Sequence, residues 1–258
     1  MAQFNAWCTT NDTTIGAHAL TILSGDAARI DIGVGATAAI IPEHYAAEEQ
    51  ISRILARLGK PAAAEFIRAK LPTTKSIRSG DLGEILATEF IAAHTGYGVP
   101  IKRLRWKDHR NMAMRGDDVI GVARDAATGR LQFLKAESKS RVALSGGVVA
   151  QARAGLDKDG GLPSPHALSF MSARLLELGE SALADAIDDA QLKVGIPVQS
   201  VRHLLFTFSG NVPDAYLAAS LQAYAGPIPQ RALGLRVEGH AAFVAAVYDQ
   251  VIADANNG

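Results

Sequence analysis

The chain has 258 residues, and its 26 Lys and Arg against 26 Asp and Glu give a formal net charge of zero. With 48% apolar and 20% charged residues it has a globular composition that excludes a disordered chain, and its length suits one large domain or a domain with an added lobe. The single Cys8 excludes an internal disulfide framework and a cysteine-based zinc site.

Residues 1–14 lack a basic region leading into an apolar core, and no run of about 18 apolar residues follows anywhere. A cytoplasmic protein with no membrane span is therefore expected. A neutral chain that handles nucleic acid must concentrate its basic residues locally or borrow affinity from a partner.

Residues 19–41 contain two apolar, strand-like runs around Ser24-Gly25-Asp26. Gly33-Val34-Gly35-Ala36-Thr37-Ala38 mimics a dinucleotide-binding glycine loop, but such a loop must open a helix. Pro42 follows too soon for one, so a glycine-containing strand or turn is expected here. Pro42 suits a helix start, with Glu43, Glu48 and Glu49 early in the helix. Ile51, Ile54, Leu55 and Leu58 then recur at helical spacing up to Gly59. Pro61 opens a second helix through Lys70. Neither helix carries a catalytic constellation.

From Ser79 to Ile91 the pattern predicts a helix capped by Ser79 or Asp81, with Leu82, Ile85, Leu86 and Phe90 on its apolar stripe. Glu84 lies across from that stripe and Glu89 within it; a carboxylate on an apolar face needs a partner, so Glu89 competes with Glu84 as the buried acid of a metal site. Gly96 and Gly98 end the helix, and a strand is expected over 99–106.

The densest basic stretch follows: Lys102, Arg103, Arg105, Lys107, Arg110 and Arg115, interleaved with Trp106 and His109. It is the best candidate for a phosphate-contacting surface.

Residues 115–141 predict a β-hairpin, with apolar runs after Asp117-Asp118 and before Glu137-Ser138-Lys139, separated by a turn at 125–129. Glu137 and Lys139 are two residues apart, so on a strand they project from one face. Asp118 enters from the neighbouring strand. Two converging carboxylates form a hard-oxygen site for Mg²⁺ or Mn²⁺, whose bound water could attack phosphorus. Lys139 could orient that water and offset charge on the phosphorane. Asp117 competes with Asp118 for the metal role, since a strand bulge would exchange them.

Asp157 to Gly161 hints at a calcium loop but lacks its third acid and closing glutamate. Residues 166–193 read as helical, broken near Gly179, with Phe170, Leu175, Leu176, Leu178, Leu183 and Ile187 packing inward. Strands are expected over 198–209 and 233–237, then a helix through Ala253. Alternating strands and helices predict an α/β sheet covered on both faces.

The residues quoted carry a resemblance. Asp118 followed by Glu137-Ser138-Lys139 resembles the PD-(D/E)xK core of the restriction-endonuclease-like superfamily. The preceding Gly-Glu helix stands where that superfamily's first-helix glutamate joins the metal site, which assigns Glu84 by resemblance. The helix at 79–91, the segment 108–118 and Lys135 to Arg141 together resemble the nuclease-subunit family of the Hachiman anti-phage defence system.

The resemblance implies a restriction-endonuclease-like mixed central sheet flanked by helices over 76–258, with a β/helical extension over 1–75. It implies a Mg²⁺-dependent deoxyribonuclease, with Asp118, Glu137 and Lys139 catalytic and Glu84, Asp118 and Glu137 holding the metal. It also implies a helicase partner and a hetero-oligomer. Two alternatives stay open: a non-catalytic nuclease-like module, or a structure-selective resolvase or RNase on the same fold.

Overall fold

The computed structural model describes residues 1–257, with side chains through residue 255. Its centre is a six-stranded mixed sheet in the order β1-β2-β6-β5-β4-β3. The strands are β1 (Cys8–Ile15), β2 (His18–Gly25), β3 (Val119–Arg124), β4 (Leu131–Arg141), β5 (Val201–Ser209) and β6 (Gln230–Arg236). An antiparallel hairpin stands at each edge, β1–β2 and β3–β4, and the pairings between β2, β6, β5 and β4 are parallel. The central strands are buried on both faces, as their near-continuous apolar runs require. In β5 only Arg202 is less than fully buried.

Among the described residues ten helices accompany the sheet: α1 (Phe4–Trp7), α2 (Ile30–Tyr45), α3 (Glu48–Leu58), α4 (Lys60–Lys70), α5 (Lys75–His94), α6 (Gly146–Asp157), α7 (Pro165–Glu177), α8 (Ser181–Asp188), α9 (Asp214–Ala223) and α10 (His240–Asn257). One face carries a core of Leu82, Ile85 and Leu86 from α5, Ile41 from α2 and Val247 from α10, against Leu134, Leu204 and Phe206. The opposite face is covered in two patches. α6 and α9 pack on Leu205 and Ala232, while α7 and α8 pack on Ile120 and Phe133. The expected α/β sheet covered on both faces is the architecture found.

The segment 1–75 supplies β1 and β2 to this same sheet, and its α2 and α4 pack against α10. Among the described residues no helix is long and apolar enough to cross a membrane.

Several local expectations are corrected. Residues 30–45 form α2, not a second strand, and Gly33 and Gly35 lie inside it. A Cβ at Gly33 would stand 2.6 Å from the Trp7 ring, so glycine there permits close packing of that indole on the helix. Pro42 falls within the last turn of α2 instead of opening the next helix. α5 begins at Lys75 with Thr74 as its N-cap, which places Ser79 and Asp81 inside the helix. The strand expected over 99–106 is absent. A single bridge pairs Gly98 with Val122, and a short 3₁₀ turn occupies Arg103–Trp106. Leu55, Leu58, Leu176 and Leu178 are exposed and not packed inward. Helix α9 was not anticipated, and residues 198–200 form a 3₁₀ turn ahead of β5.

Candidate active site

The β3–β4 hairpin positions the acids. Its register pairs Val119 with Ala136, and continuing it by one residue sets Asp118 opposite Glu137. Asp118 leaves the strand at its mouth, where Oδ2 accepts the Ser138 amide at 2.8 Å. On β4, Lys139 Nζ donates to Glu137 Oε1 at 2.5 Å, as side chains two residues apart on a strand can.

Glu137 lies under α6, and Gly155 makes the room. A Cβ at that position would sit 2.7 Å from the Glu137 carboxyl carbon. Burial, followed by the nearby Asp118 charge, raises the Glu137 carboxyl above its usual range, while Lys139 pulls it back. Two carboxylates that repel one another in a half-buried site attract cations.

Glu84 reaches the site from the other face of the sheet. Helix α5 approaches β4 closely at Gly83, where a Cβ would meet Ser138 Oγ at 3.0 Å. The next residue, Glu84, is held by Arg103 through Nε at 2.5 Å and Nη2 at 2.8 Å. The same Nη2 stands 3.3 Å from Asp118 Oδ1, and Nη1 donates to the Arg115 carbonyl at 3.2 Å. Burial above all raises the Glu84 carboxyl to about 7, with Arg103 opposing.

The two ambiguities in the acid roster acquire geometry. Asp117 lies 3.5 Å from the buried Lys135 ammonium and accepts the Ser164 amide at 2.7 Å. Lys135 is also bound by the carbonyls of Lys158 and Leu162. Asp117 is thus a buried anchor for the loop before α7. Glu89 accepts from the buried His44 at 3.0 Å and lies 3.5 Å from the N-terminal amine. Asp118 and Glu84, by contrast, share Arg103.

Among the described residues no three acids, histidines or cysteines are grouped so as to hold a metal ion between them. The anticipated trio therefore divides: Asp118 and Glu137 stand opposite one another, and Glu84 is engaged by Arg103. The donors that remain suit a hard divalent ion. Mg²⁺ takes one or two protein carboxylates and keeps its waters.

The basic segment is a strap, residues 99–118, and most of its cations face inward. Lys102 pairs with Glu43 at 2.6 Å, and Lys107 binds both oxygens of the buried Asp81 at 2.9 and 2.7 Å. Asp81 also accepts from the Tyr45 hydroxyl at 2.7 Å, which ties the strap to α2 and α5. Arg105 donates to the Glu43 carbonyl, and Arg110 to the carbonyls of Arg68 and Ala69. Arg115 is exposed. Trp106 is half-buried, its N–H directed at Glu177. A cavity of about 570 Å³ is lined by residues of the strap, with Glu84, Arg103 and Asp118 as well as Met114, His166 and Phe170 among its walls.

Two features escaped sequence reading. The role of Gly155 in seating Glu137 had no local signal. Arg103 looked like a phosphate-contacting residue because it stands in a basic run.

Comparison with known proteins places the chain. The HamA family model matches residues 1–251. The chain belongs to the HamA family. It is similar to the Hachiman protein HamA of Bacillus cereus, with 26% identity over 233 residues, covering 88% of this chain and 82% of that protein. The match takes in the N-terminal hairpin and α2 as well as the β3–β4 hairpin, so the family likeness extends over both edges of the sheet.

Proposed function

We propose that this HamA-family chain is a Mg²⁺- or Mn²⁺-dependent deoxyribonuclease on a restriction-endonuclease-like core, acting in Hachiman anti-phage defence. The observation that carries the reading is the mouth of the β3–β4 hairpin, where Asp118 lies opposite Glu137 and Lys139 is bound to Glu137. Membership of a family named for Hachiman defence supports the biological setting.

In this reading Asp118 and Glu137 hold the divalent ion. When bound, the ion supplies Lewis-acid polarisation of the scissile phosphate and acidification of a water. The Ser138 amide fixes the Asp118 carboxylate, and Gly155 leaves space for that of Glu137. The Lys139 ammonium, 21% exposed, is open enough to reach an incoming phosphate or an attacking water. Its charge offsets the negative charge that gathers on phosphorus in the transition state.

Zero net charge and a strap whose cations are largely committed to internal partners leave the chain few free contacts for a phosphate backbone. Most of the DNA affinity then comes from an associated subunit, for which a helicase is the partner the resemblance implies. The test is cleavage of DNA by the purified chain and by its complex, with and without EDTA. Mg²⁺-dependent cleavage abolished by Glu137→Gln supports the assignment; cleavage undiminished in excess EDTA removes it.

A second reading has one observation behind it. The pairing of Glu84 with Arg103 neutralises one of the three acids, which suits a nuclease-like module that holds DNA or a partner without cutting. Complete absence of cleavage by the complex, with DNA binding retained, would select it.

A further inference from the structure

The cationic group nearest the acids is a side chain, and its placement resembles that of an ion. The Arg103 guanidinium spans Glu84 and Asp118, with contacts of 2.5 and 2.8 Å to one carboxylate and 3.3 Å to the other. It is held from behind by the Arg115 carbonyl, and its side chain is only 12% exposed. Arginine does not lose its proton in a protein, so this positive charge is permanent. On the other side of Asp118, towards Glu137, the nearest cation is Lys139, which binds Glu137 Oε1.

We propose that Arg103 occupies the second cation position of the site, so that the chain takes one divalent ion, at Asp118 and Glu137, and none between Glu84 and Asp118. This rests on the metal-dependent reading above. The reason is electrostatic. A divalent ion between Glu84 and Asp118 would have to displace or approach a buried guanidinium, and like charges in a poorly solvated site repel strongly. The guanidinium instead supplies a fixed charge beside the ion, with planar donors matched to phosphate oxygens as well as carboxylates. Arg103 is thereby a positioning residue: it orients Asp118 for the single ion and holds Glu84 beside it.

The experiment counts Mn²⁺ bound per folded chain by electron paramagnetic resonance titration at mildly alkaline pH. Wild type and Arg103→Lys are expected to bind one ion, and Arg103→Gln two. Glu84→Gln is expected to keep one, and Asp118→Asn to lose it. Two ions on the wild type, or one on Arg103→Gln, overturns the proposal. If Arg103→Gln does not fold, the wild-type and Glu84→Gln counts decide: a second ion on the former, or loss of the ion from the latter, overturns it. Failure of the nuclease reading is separately visible. One ion on the wild type without cleavage by the complex leaves Arg103's role standing, whereas cleavage with no bound Mn²⁺ sinks the Arg103 proposal and leaves phosphodiester hydrolysis intact.

Discussion

Asp117 reaches the Lys135 ammonium at 3.5 Å and the Ser164 amide at 2.7 Å, whereas Asp118, next in the chain, takes the Ser138 amide and the Arg103 guanidinium. Asp117 and Lys135 expose only 7% and 1% of their side chains, while Asp118 exposes 23%. Around Asp117 every partner is fixed and dry, and the charge is spent on holding the loop before α7 to the sheet. Around Asp118 the partners are of the same two kinds, an amide and a cation, but the carboxylate and the guanidinium both reach solvent. In the proposed reading, the difference separates an acid that stabilises a fold from one placed to exchange partners during chemistry.

The comparison breaks most visibly in activity. Glu137→Gln, Asp118→Asn and Lys139→Ala are each expected to cut DNA cleavage by about 10²–10⁴-fold, the range for removing a positioned catalytic group. Asp118→Asn should lower unfolding free energy by only about 1 kcal/mol, the net worth of one hydrogen bond, because Arg103 keeps its two contacts to Glu84. Cleavage assays paired with urea unfolding check both halves. Wild-type rates in all three variants would move the site elsewhere.

Asp117→Ala should do the reverse. It strands a buried lysine, and breaking one side of a buried pair costs about 3–5 kcal/mol. Urea unfolding should register that loss, while any protein that remains folded keeps its cleavage rate per folded molecule. A stable but inactive Asp117→Ala protein would exchange the roles of the two aspartates.

A third test concerns the seat of Glu137. Gly155 lies inside α6, where glycine-to-alanine exchange ordinarily stabilises a helix by about 0.5–1 kcal/mol. Here the added methyl would meet the Glu137 carboxylate, so the substitution should lower cleavage about tenfold or more. Unchanged cleavage with raised stability would show that Glu137 has slack.

Much of this was legible in the sequence because local signals agreed with the fold. Apolar runs on either side of a polar break ending in Gly129 gave the β3–β4 hairpin, and the Glu137/Lys139 spacing put both side chains on one face. What escaped depended on distant partners. Gly33, Gly35 and Pro42 look like strand or turn punctuation, yet the Trp7 ring against Gly33 makes that stretch a packed helix. The run at 99–106 has a strand's composition, but Glu43, Glu84 and Asp81 draw its cations into a strap. The choice between Asp117 and Asp118 turned on where Lys135 ends, which no spacing reveals.

The smallest effect tests whether Glu84 belongs with the anchors or with the site. Burial raises its carboxyl from an ordinary 4.5 to about 7, against the pull of Arg103. Between those values the folded chain binds more protons at this group than the unfolded chain. Its contribution to stability is therefore complete below pH 4.5 and is lost as pH rises through about 7. The slope for a single group is at most about 1.4 kcal/mol per pH unit, and Arg103 offsets part of the burial cost. Glu84→Gln, which mimics the neutral carboxyl, should flatten the pH dependence of unfolding free energy across that window, so that the two proteins are most alike at low pH and separate as pH rises. Parallel curves would mean that Glu84 titrates alike in both states, as an acid fully satisfied by Arg103 would, and would place it with Asp117 among the anchors.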